Sequence, residues 1–128
     1  MPFLPGDFMP FDAVAAARTF HEAINSLDFE TIDAFFAEDA VYGSVKVGQL
    51  SGKAEIMAAF RRYFDTYPDQ VAVDELTEAV SPMAARAVWR LKATHAVTGE
   101  PLVRFGEETI TFNDEGKIIS VDVTDYKV

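Results

Sequence analysis

Residues 84–126, AARAVWRLKATHAVTGEPLVRFGEETITFNDEGKIISVDVTDY, decide the fold. Side chains alternate between two faces along a strand, and this stretch reads with period two between turn-forming clusters. In 84–95, Arg86, Arg90 and Lys92 share one parity, while Trp89, Leu91, Ala93 and His95 share the other. In 104–112, Ile110 and Phe112 belong inside, and the same phase carries back to Glu108 and Arg104. Val103 and Phe105 have the opposite parity, and a bulge near Gly106 is the alternative that turns them inward. In the last segment Ile119, Val121 and Val123 share a face, with Asp125 in phase. Thr98–Pro101 and Asn113–Gly116 supply turns, and Ser81-Pro82 marks another just upstream. Strands are therefore predicted at about 70–80, 84–96, 103–113 and 117–126, paired mainly as antiparallel hairpins.

Upstream the period is helical. Asp12 is an N-cap candidate for a helix reaching about Ser26, with Val14, Ala17, Phe20 or His21, Ile24 and Leu27 on its apolar face. Asp28 restarts a helix through FETIDAFFAEDA, burying Ile32, Phe35 and Phe36. VYGSVKVGQL reads as one strand with glycines at its bends. Gly52 or Ser51 then caps a third helix that buries Ile56, Met57, Phe60 and Phe64. Helices first and strands afterwards predict an α+β architecture: three helices on a strongly curved, mainly antiparallel sheet around an apolar pocket.

Composition narrows the function. With 128 residues the chain has the length of one domain, predicted over 11–128 after an extended arm at 1–10. Phe3 and Phe8 of this arm, and Phe11 directly after it, are candidates to pack onto the body or a second subunit. Eleven phenylalanines add apolar area to a core or a ligand cavity. A net charge of −10 argues against nucleic acid and against anionic membrane surfaces, both of which bind clustered Lys and Arg. The chain has no cysteine, and its two histidines, His21 and His95, lack metal-site spacing, so no metal and no cofactor are expected. The proline-interrupted N-terminus has no basic leader pattern, and no apolar run suffices to span a bilayer, which predicts a cytoplasmic protein.

Three ionisable residues fall on faces meant for the core: His95, Glu108 and Asp125. Buried charges are paired, neutralised or set in a cavity, so these are site candidates. Glu108 is the strongest, because Ile110 and Phe112 fix its phase.

The runs FHEAINSLDFETIDAFFAEDAVY, GQLSGKAEIMAAFRRYF and TFNDEGKIISVDV carry a resemblance. In order and spacing they resemble the nuclear transport factor 2-like superfamily, nearest its SnoaL-like polyketide cyclases and ketosteroid isomerase-like proteins. The resemblance implies a cone-shaped α+β barrel, a deep pocket for a small hydrophobic or aromatic ligand, and a homodimer packed through the sheet. It implies cofactor-free acid/base chemistry on a small carbonyl compound, with Glu108 as acid/base and His95 as its partner. Phe20, Phe36, Tyr42, Ser44, Phe60, Trp89, Arg104, Ile110 and Asp125 are the expected ligand-site residues. Ser44 stands where a steroid isomerase has its base, and Phe20 stands at the position of its oxyanion tyrosine. A non-catalytic binding or dimerisation module is therefore the alternative.

Overall fold

The computed structural model describes residues 10–44 and 48–126, so the expected arm lies outside the described residues except for Pro10. Helix α1 (Ala13–Asn25) begins where the Asp12 carboxylate accepts the Ala15 N–H. It buries Ala13, Ala17, Phe20, His21 and Ala23. Asp28 caps α2 (Phe29–Phe35) in the same way, through the Thr31 N–H. This helix is shorter than expected. From Phe36 the chain is already strand β1 (Phe36–Ser44), because Phe36 pairs with Ile118 on a neighbouring strand.

The stretch expected as one strand is two: β1 pairs antiparallel with β2 (Gly48–Ser51), and the residues joining them, 45–47, lie outside the description. Gly52 precedes α3 (Lys53–Thr66) at φ 93°, a left-handed conformation open to glycine at no steric cost. Four strands follow: β3 (Val71–Ser81), β4 (Ala84–Thr94), β5 (Pro101–Phe112) and β6 (Ile118–Asp125).

The strands form one mixed sheet in the order β2-β1-β6-β5-β4-β3, parallel at β1–β6 and antiparallel elsewhere. It does not close, so the expected barrel is an open sheet with β2 and β3 as its edges. The α1 end covers one edge: Asn25 donates to Ala72 O (2.9 Å) and accepts the Ala72 N–H (3.0 Å). Helices and inner sheet face enclose the core, where Phe20, Phe36 and Phe60 meet edge-to-face. Phe11, just before α1, lies against Phe112 at 5.0 Å between ring centroids.

Register decides the inner face. β4 and β5 pair without a shift from Ala84↔Thr111 to Thr94↔Pro101, so no bulge occurs at Gly106. Arg104, Glu108, Ile110 and Phe112 point inward, and Val103 is 54% exposed on the outer face. In β6 the expectation fails at one residue. Thr111 pairs with Ser120 but Phe112 with Ile118, and the extra residue between them turns Ile119 outward while Ile118 is fully buried.

Candidate functional site

Between α1, α3 and the inner sheet face lies a cavity with about 70 Å³ open to the centres of water molecules. A single buried water needs only about 10–15 Å³ by that measure, so the cavity has several times the room one water takes. Ile24, Phe60, Phe64 and Leu91 provide apolar wall.

One pole of the cavity is built around His21. Helical spacing sets His21 beside Ala17 and Ile24, so the face that packs on the sheet carries it inward. Its Nδ1 lies 2.7 Å from Asp74 Oδ2 on β3, and its Nε2 lies 2.6 Å from Glu108 Oε1 on β5. The first contact is an aligned hydrogen bond. The second is an ion pair whose N–H points off the line to the oxygen. Burial disfavours the imidazolium, but the charge and close contact of Glu108 and the bond to Asp74 outweigh it, and His21 is pushed up to about 10. At neutral pH His21 is a cation held between two carboxylates. Tyr42, on the same cavity, is pushed far up by burial and then by the charge of Glu108, so its hydroxyl stays protonated.

The other pole is built around Arg104. Asp125 grips it by two bonds of 2.7 Å, at Nε and Nη2. Its Nη1 donates to the Tyr63 hydroxyl (3.4 Å), which in turn donates to Gln70 Oε1. Burial lowers the Arg104 pKa, yet the Asp125 bond and Tyr63 raise it on balance. The guanidinium carbon sits 5.3 Å from the centre of the Trp89 ring.

Of the residues expected from sequence, Tyr42, Ser44, Phe60, Trp89, Arg104 and Glu108 line this cavity. Phe20, Phe36 and Ile110 are fully buried in the core and are not part of its lining. Asp125 is not part of the lining and instead accepts from Arg104. His95 does not reach the cavity, which corrects the expected pairing with Glu108. β4 ends at Thr94, whose N–H goes to Asp69 Oδ1, and Ala96 N–H bonds Thr66 O, so strand parity no longer governs residue 95. The His95 Nδ1 instead accepts the Val97 and Thr98 N–H groups in the following turn.

The partner of Glu108 is His21, which sequence reading placed only as an alternative to Phe20 on the helix face. Asp74 was missed altogether. In β3, Val71 and Val73 point to solvent while Ala72 and Asp74 point in, the reverse of what polarity alone suggests. Among the described residues, no group of three or more His, Asp or Glu side chains is placed to hold a metal ion. None of their helices is long and apolar enough to cross a membrane.

Comparison with solved structures gives the same fold in proteins of low identity. A putative polyketide cyclase from Xanthomonas campestris pv. campestris superposes with a TM-score of 0.78 at 22% identity, covering 87% of each chain. A Mycobacterium tuberculosis protein in complex with estradiol-17β-hemisuccinate gives 0.77 at 21%, covering 91% of this chain and 93% of that one. An M. tuberculosis epoxide hydrolase of the LEH-like type gives 0.76 at 18%, covering 89% and 82%. No curated protein matches the chain by sequence. The family model of the SnoaL-like domain matches residues 17–121, the span that holds His21, Asp74 and Glu108. By that match and by its cone of three helices on an open mixed sheet, the chain belongs to the SnoaL-like domain family of the nuclear transport factor 2-like superfamily.

Proposed function

We infer that the chain is a cofactor-independent acid/base enzyme acting on a small hydrophobic carbonyl compound. The observation that carries this reading is the His21–Glu108 contact of 2.6 Å inside an apolar-walled cavity. The Glu108 carboxylate removes a proton from the carbon beside the carbonyl. The C–H electron pair forms a new C=C bond, and the carbonyl π pair moves to oxygen as an enolate. His21, cationic at neutral pH, donates from Nε2 toward that oxygen and offsets its charge in a site with little water. Glu108 then returns the proton to a different carbon, or the enolate carbon adds to a second carbonyl, whose π pair moves to oxygen and takes the proton from Glu108. Asp74 is a positioning residue, fixing the imidazole through Nδ1. Tyr42, Ser44 and Trp89 orient the ligand. A homodimer would use the outer sheet face, where Val71, Val73 and Val103 are about half exposed.

The test is deuterium uptake from heavy water into small hydrophobic ketones, followed by proton NMR. Wild-type protein accelerates exchange beside the carbonyl, and Glu108→Gln slows it about 100-fold or more while the circular dichroism spectrum is unchanged. Equal exchange by wild type and Glu108→Gln would sink the assignment. A non-catalytic binding module is the second reading, favoured by Phe20, buried in the core where an isomerase needs a donor. A cavity ligand recovered unchanged after incubation in every trial supports it.

A further inference from the structure

Among the described residues that line the cavity, Asn25 alone is exposed to solvent; the rest are buried or half-buried. A side chain with one flank in the cavity and the other in water marks the thinnest part of the wall. Asn25 closes that part by the two bonds of its amide to Ala72 on the edge strand β3. Both bonds are exposed, so water competes for each of them and they break at little net cost.

The clasp is the outer of two rungs between α1 and β3. One helical turn earlier, His21 bonds Asp74 at 2.7 Å, two residues along the strand from Ala72. That inner rung is charged and shielded, whereas the outer rung is neutral and wet. A register shift between Asp74 and Leu76 sets the clasped start of β3 apart from the rest of the strand.

The helix end at the outer rung is strained. Leu27 has φ 54°, the one non-glycine residue at positive φ among the described residues. It ends α1 in a Schellman turn: Asp28 N–H reaches Ala23 O (2.9 Å) and Leu27 N–H reaches Ile24 O (3.0 Å). Glycine takes this position without penalty, whereas a bulky side chain does not. Unwinding residues 24–28 relieves that conformation and draws Ile24 and Asn25 out of the wall together.

We propose that the last turn of α1 is a gate to the cavity, latched by Asn25 on Ala72 and hinged at the His21–Asp74 bond. The inference goes beyond the acid/base reading, because it concerns how a molecule enters and not what happens to it.

The chain contains one tryptophan, so its fluorescence reports on Trp89 alone, a cavity residue 5% exposed. Acrylamide, a small neutral quencher, is the probe of entry. Asn25→Ala is expected to raise its quenching constant about fivefold, the worth of roughly one net hydrogen bond. Asp12→Ala, which uncaps the far end of the same helix, should leave quenching within about 1.5-fold of wild type. Amide hydrogen exchange reads the motion itself. In wild type, Ser26, Leu27 and Asp28 exchange by local opening at a rate independent of low urea, while Phe20 and His21 exchange only with global unfolding. Asn25→Ala speeds the first set about fivefold and leaves the second unchanged relative to global stability.

Quenching by Asn25→Ala within about 1.5-fold of wild type overturns the inference, as does an equal rise in Asp12→Ala, which means the whole helix has loosened. Raised quenching with unchanged exchange at residues 26–28 also overturns it, since Asn25 is then a static plug. Urea-dependent exchange of these amides in wild type does the same without any variant. None of these results depends on whether Glu108→Gln alters deuterium uptake, so this inference and the acid/base reading fail separately.

Discussion

His21 Nε2 lies 2.6 Å from Glu108 Oε1, joining the first helix to the middle of the fifth strand inside the cavity. The contact ties proton chemistry to the packing of helix on sheet, and it has measurable consequences.

The first concerns pH. His21 titrates near 6.5 when unfolded and at about 10 when folded, so between these values the folded state binds the extra proton. Stability from this group is complete below about pH 6.5 and is lost as pH rises through about 10. The thermal midpoint of wild type minus that of His21→Gln should therefore shrink from pH 6.5 to 10. A difference that widens toward alkaline pH contradicts the ion-paired assignment.

The second isolates the cause. The charge of Glu108 is the largest influence holding the proton on His21. Glu108→Gln should move the His21 midpoint down toward 6.5, read from the imidazole carbon-bound proton signal in an NMR titration. An unmoved midpoint would assign the shift to Asp74 alone.

A third prediction concerns Gly106. A methyl group there would stand 2.5 Å from Thr124 O and 3.0 Å from the Trp89 ring, so backbone or indole must move. Gly106→Ala should cost roughly 1–3 kcal/mol in urea unfolding and alter Trp89 fluorescence. An unchanged emission spectrum and midpoint would show that the ring is not seated on this glycine.

The fourth concerns the opposite pole. Asp125→Asn leaves the Arg104 guanidinium, 8% exposed, without its anionic partner. Removing one member of a fully buried pair costs about 3–5 kcal/mol, and the partial exposure of Asp125 reduces this to roughly 2 kcal/mol. Denaturant unfolding checks it, and a loss below about 0.5 kcal/mol would mean that solvent already serves the guanidinium.

The last prediction tests the β6 bulge. Ile118→Ala should cost about 2–4 kcal/mol, as for a filled core site, whereas Ile119→Thr should stay within about 0.5 kcal/mol. Equal costs would restore the unbulged register.

That pair also shows how far the sequence could be read. Period-two alternation placed Arg104, Glu108, Ile110 and Phe112 correctly, because β4 and β5 pair without interruption. It misplaced Ile119, because a one-residue bulge reverses parity and leaves no mark in a run of apolar residues. His95 was misread for a related reason: alternation carries no information about where a strand stops, and Asp69 and Thr66 end β4 through hydrogen bonds from distant segments. His21 was in helical phase with the core, yet Phe20 beside it was an equally good occupant, and both are in fact buried. Asp74 was hidden because its strand exposes valines and turns a carboxylate inward, an arrangement that makes sense only once His21 is opposite it.

The clasp between Asn25 and Ala72 has a consequence for assembly. An open sheet offers the free N–H and C=O groups of its edge strands to any passing chain. At Ala72 both groups are already taken by one side-chain amide, which imitates an adjoining strand for a single residue. Farther along the same strand, Glu75 and Glu78 are exposed and pair with Arg90 and Arg86 of β4. At that one position strand addition is blocked by a residue whose helix also builds the cavity.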